Sequence, residues 1–92
     1  MLTDRQQSLY DSFYESTHEN EYLDQKTEIL VGLSAAMAIN CAPCTDYYLR
    51  QAKKADVTKG EISEVLAKVM AVAAGQKRLQ MAEIVKKGHF DL

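Results

Sequence analysis

The chain has only two cysteines, Cys41 and Cys44, three positions apart, with its one proline between them: Asn40-Cys41-Ala42-Pro43-Cys44-Thr45-Asp46-Tyr47-Tyr48. A Cys-x-x-Cys can exchange a disulfide, meet an oxidant through a sulfenic acid, or contribute to a metal site. Closing so short a loop removes little chain entropy, so a purely stabilising clip is disfavoured. Proline fixes φ near −65° and lacks an N–H, which suits the first turn of a helix. The spacing therefore predicts that Cys41 ends a loop and that Cys44 sits in the first turn of the next helix. A thiol there faces free backbone N–H groups and the positive end of the helix dipole, and both favour the thiolate, the attacking form.

On this reading Cys44 attacks and Cys41 resolves, with the reverse order left open. The bland alternative is two small apolar filler residues. Tyr48 lies four residues after Cys44, on the same helical face. Its phenol can donate a hydrogen bond to a thiolate but is a poor base at neutral pH. Tyr47 and Tyr48 are equally well read as core or interface aromatics. Glu28 is a general-base candidate if it points inward, and an ordinary solvated first-turn acid if it does not. His18, among Glu15, Glu19 and Glu21, and His89, near the end of the sequence, carry the only imidazoles. Both read as surface residues, though either could be brought to the cysteines by folding or by another subunit. A structural zinc site needs four ligands, and neither histidine has finger-like spacing from the cysteines. No cofactor or metal is expected, although two chains could pair their cysteines around one zinc.

These residues need helices to position them. Of the 92 residues 47% are hydrophobic, tryptophan is absent and proline occurs once, a composition too apolar for disorder and too poor in turn residues for an all-β fold. Thr3 to Gln6 has the spacing of a capping box, predicting a first helix from about residue 4 to 17 with Leu9, Tyr10, Phe13 and Tyr14 as one apolar stripe. Asp24 is a candidate N-cap for a second helix that is apolar or small on every face after Glu28, the mark of a helix surrounded by protein. A chain of this size has difficulty enclosing one helix, so a second copy is expected to cover part of it. The third helix is expected from Pro43 to about Ala55. Thr58 and Glu61 form another capping box, after which Ile62, Val65, Leu66, Val69 and Val72 keep helical spacing. Ala73-Ala74-Gly75 either ends or kinks this helix before a last amphipathic stretch that stops near Gly88. The expectation is all-α, with four to five helices in a single domain over residues 1–92.

The formal charge of −2, with no basic stripe, argues against nucleic acid as a partner. The longest uncharged, mostly apolar run, Ile29 to Pro43, is too short to span a bilayer, and the first residues show no apolar signal region, so a cytoplasmic location is the default. In that compartment a Cys-x-x-Cys is more often redox-active or metal-binding than structural.

The order of parts resembles the carboxymuconolactone decarboxylase superfamily and, within it, the alkylhydroperoxidase D-like proteins. The likeness rests on an apolar helix opened by Lys26-Thr27-Glu28, then Cys41-Ala42-Pro43-Cys44. It continues through a helix ending Gln51-Ala52-Lys53-Lys54-Ala55, the Thr58-Lys59-Gly60-Glu61 break and an alanine-rich helix to Gly75, covering roughly residues 23 to 86. The resemblance implies a helical subunit that assembles as a trimer or hexamer. It also implies thiol-based reduction of a small hydroperoxide or disulfide, with a dithiol partner as reductant. The family pattern places a glutamate twelve residues before the first cysteine and a histidine four after the second. Here those positions are Ile29 and Tyr48, and Glu28 is one residue off, about 100° around a helix. This departure implies slow peroxide turnover, with disulfide exchange as a possible true activity. A redox sensor or zinc clip is the non-enzymatic alternative. Lactone decarboxylation finds no supporting residues.

Overall fold

The structure, a computed structural model, describes residues 1–92 and is entirely helical: α1 (Asp4–Ser16), α2 (Gln25–Ala38), α3 (Ala42–Lys54) and α4 (Lys59–Lys87). Side-chain caps start the helices. The Thr3 hydroxyl accepts from the Gln6 N–H and Thr58 from Glu61, each closing a full capping box, while the Asp24 carboxylate accepts from Thr27. Three of the four helices end alike. Asn40, Asp56 and His89 take left-handed φ values of 59°, 56° and 53° just past α2, α3 and α4. The next residue in each case donates its N–H back to the helix, Cys41 to Ala36, Val57 to Ala52 and Phe90 to Val85. These are Schellman ends, which satisfy carbonyls that a terminating helix leaves free. No glycine takes a positive φ, so the turning residues are Asn, Asp and His.

The Schellman end of α2 and the start of α3 meet at Cys41. Its N–H closes α2, and the same residue is the N-cap of α3. The cysteine pair is thereby fixed at the corner between the two most closely packed helices. The buried core is small: Ile29, Leu33 and Ala36 form one stripe of α2 and meet Ala52 of α3. Burial of Ile29 and Leu33 contributes about 1.5–3 kcal/mol each. Lys26 Nζ lies 3.2 Å from Glu61 Oε1, which joins the start of α2 to that of α4.

There are four helices, because α4 continues through Gly75 without ending there. Within one chain α2 is enclosed along one stripe only, and Val31 (53%) and Ile39 (74%) are exposed. The α1 stripe of Leu9, Tyr10, Phe13 and Tyr14 is exposed within one chain; the α1 backbone lies away from the other helices, and Tyr14 reaches a cavity shared with α2 and α3. The radius of gyration is 18.0 Å, where a compact chain of this length would have about 12 Å.

Candidate functional site

Cys41 and Cys44 are half-buried and their sulfurs are bonded, with Cα atoms 5.3 Å apart. α3 begins one residue earlier than expected, at Ala42, so Pro43 and Cys44 both fall within its first turn. The Cys44 backbone N–H points at Cys41 Sγ at 3.3 Å. The helix start thus supplies a donor to the first sulfur, as an N-cap side chain would. Thr45 Oγ1 donates to the Cys41 carbonyl at 2.8 Å and holds the same corner. Cys44, in contrast, lines an open apolar cavity of about 410 Å³ with Tyr14, Gly32, Ala35, Ala36, Ile39, Pro43, Tyr47 and Tyr48. A small, largely apolar molecule entering there reaches Cys44.

Tyr48 projects from α3 across α2. Its ring occupies the space over Gly32, where even a Cβ would meet Tyr48 Cδ1 at 2.8 Å and other ring atoms closer still. Tyr47 packs edge-on against it, ring centroids 5.0 Å apart. Burial, with the nearby Tyr14 and Glu28 adding to it, raises both phenols above their ordinary value. They remain neutral donors at any physiological pH.

Behind the tyrosines lies a second, more polar cavity of about 270 Å³, lined by His18, Asn20, Leu23, Gln25, Glu28, Ile29, Tyr47, Tyr48 and Gln51. Here the structure goes beyond the sequence. Glu28 is no solvated first-turn acid: its side chain is 15% exposed, and Oε1 lies 3.1 Å from His18 Nδ1. The one-residue offset from the family pattern has a plain outcome. Ile29 faces the core at 3% exposure, and Glu28, a helical step earlier, faces the connection between α1 and α2. His18, which reads as a surface residue, is pulled in. Its ring meets Tyr14 edge-on at 4.8 Å and stands 6.0 Å from Tyr47. No short spacing signals this pairing, because the partners are ten residues apart and joined across a bend. His89 ends α4, exposed. No three residues among His, Cys, Asp and Glu cluster as metal ligands within the chain. No helix is long and apolar enough to cross a membrane.

Four helices with a half-buried disulfide at the α2–α3 corner define a class: small all-helical proteins built around a Cys-x-x-Cys. The match to a model of the carboxymuconolactone decarboxylase family runs over residues 6–87. The chain belongs to that family, whose superfamily includes the alkylhydroperoxidase D-like proteins. A crystal structure of a protein from Methanobacterium thermoautotrophicum has the same fold, with a TM-score of 0.79 and 24% identity over 90% of this chain and 94% of that one. No curated protein matches the chain.

Proposed function

We propose that the protein is a thiol-dependent peroxidase or thiol–disulfide oxidoreductase, acting in the cytoplasm on small hydroperoxides or disulfides and reset by a dithiol partner. The observation that carries this reading is the bonded, half-buried Cys41–Cys44 pair at the head of α3, with Cys44 on the wall of an apolar cavity. Cavity access favours Cys44 as the attacking sulfur and Cys41 as the resolving one. Reduced Cys44 attacks the outer peroxide oxygen, forming a sulfenic acid and releasing the alcohol. Cys41 then displaces water to close the disulfide, and a dithiol reduces it by exchange. Tyr48 and Glu28 belong to the surroundings of this chemistry as a neutral donor and an inward carboxylate. The exposed faces of α1, α2 and α4 support assembly with further copies, a trimer or hexamer.

The test is consumption of cumene hydroperoxide by reduced protein with dithiothreitol as reductant. Cys44→Ser is expected to abolish turnover. Cys41→Ser is expected to form one sulfenic acid per chain, trapped by dimedone, without sustained turnover. If Cys44→Ser retains full activity in both peroxide and disulfide-exchange assays, the reading fails.

A further inference from the structure

We propose that α1 of one chain docks, by its apolar stripe, in the groove between α2 and α4 of a second copy; this rests on the assembly proposed above and not on the thiol chemistry. The chain has surface to spare for such a contact. It exposes 7817 Å², whereas a compact monomer of 10.3 kDa exposes about 5,400 Å². The excess, roughly 2,400 Å², is well above the ~800 Å² per partner that a standard interface takes.

α1 has the form of an arm. Its backbone lies away from every other helix, and its tie to the chain is at the last turn, where Tyr14 lines the Cys44 cavity and meets His18 edge-on. Leu9, Tyr10 and Phe13 are left 59%, 53% and 66% exposed. Spaced i, i+1 and i+4, they form one ridge of the kind that a helix lays into an apolar groove. A helix of 13 residues is marginal in water by itself, so the ridge gains from a seat.

The seat is an open groove of about 640 Å³, with Met37 and Ala38 of α2 on one wall and Val69, Met70 and Val72 of α4 on the other. Met70 and Val72 are 62% and 66% exposed, and no α1 residue of the same chain lines the groove. Methionine side chains adapt to an incoming shape and pack well against aromatic rings. Charge selects the occupant. Lys68 and Lys77 line the groove and no acid does, while α1 carries Asp4, Asp11 and Glu15 against the single base Arg5. None of these six is ion-paired within the chain, so an acidic arm meets a basic groove. Ala35 lines both this groove and the Cys44 cavity, which places the docked arm beside the partner's cysteine corner.

The deciding experiment uses the full chain in its disulfide form. Phe13 is replaced by the photoreactive analogue benzoylphenylalanine, the protein is mixed with isotope-labelled wild-type chains and irradiated, and the linked peptides are mapped by mass spectrometry. Sedimentation equilibrium of wild-type and Met70→Glu proteins runs beside it. The expected result is a link between labelled and unlabelled chains at Met37 or within residues 69–73, with self-association weakened about tenfold or more by Met70→Glu, as for a buried interface anchor. Links to α1 of the other copy, to another surface or within one chain overturn the docking assignment, as does a Met70→Glu association constant within twofold of wild type. Wild-type chains that sediment singly overturn the assembly as well; the peroxide assay judges the thiol reading separately. Should Met70→Glu not fold, Lys68→Glu with Lys77→Glu, both exposed, replaces it with the same expected direction and the same twofold limit.

Discussion

At the residue scale the site depends on one close approach. Tyr48 lies flat on α2 only because position 32 has no side chain. Gly32→Ala is expected to push the ring off its seat and destabilise the chain by about 1–3 kcal/mol, as overpacking does, which denaturant unfolding would measure. The raised phenols make a second prediction. A group whose proton is held more tightly in the folded chain than in the unfolded one contributes stability that is fully present below its unfolded value and lost as pH rises through the folded one. Tyr47 and Tyr48 should therefore ionise later than an ordinary phenol, and stability should fall above about pH 10; ultraviolet titration beside chemical denaturation tests both. The cysteines and their place at a helix start were legible in the sequence, because Pro43 announces a first turn. The partnership of His18 with Glu28 was not. It is set by a bend between helices and by which way Glu28 faces once Ile29 has taken the core, and neither is a property of local spacing.

At the element scale most boundaries were written in the caps. Thr3, Asp24 and Thr58 each start a helix as their neighbours predict. The ends were less readable, since glycine is the usual left-handed residue and here Asn40, Asp56 and His89 take that place. Thr58→Ala should cost about 1 kcal/mol through loss of its capping oxygen, read as a lowered urea midpoint at unchanged slope. Glu61 adds a pH dependence of the opposite sign to the tyrosines. Hydrogen bonds from Thr58 hold its carboxyl below the ordinary value, with Lys26 helping, so its contribution is present above that ordinary value and is lost on acidification. Gly75 was ambiguous because a glycine among alanines can stop a helix or merely weaken it. In the structure α4 passes straight through, and a methyl at position 75 would meet nothing within 4 Å. Gly75→Ala should stabilise the helix by about 0.5–1 kcal/mol, visible as a higher melting temperature.

At the scale of the whole molecule the chain is open. Only four residues are buried, while exposed apolar side chains form the stripe of α1 and recur along the second half of α4, Leu79, Met81 and Ile84 among them. A small domain with so little core is marginal alone. In the sequence, the proposal of further copies rests on the uniformly apolar α2. Which face they would cover is not legible there, because a helix apolar all round gives no direction. Phe13, 66% exposed on α1, offers a direct measurement: Phe13→Glu is expected to lower the mass found by sedimentation equilibrium and to leave the helical circular dichroism of each chain largely intact.

α2 is the one helix packed along two others, while α1 reaches its neighbours only through side chains such as Tyr14. Most contacts of the chain are short-range in sequence, and chains of that kind fold in microseconds to milliseconds. In the assembly proposed above, the slow event left over would be an encounter between molecules. Recovery from denaturant should then show a fast, dilution-insensitive rise in helicity followed by a phase whose rate climbs with protein concentration. On that proposal, cells short of this protein would hold it as isolated, protease-sensitive chains, so that abundance itself would set how much of it is durable.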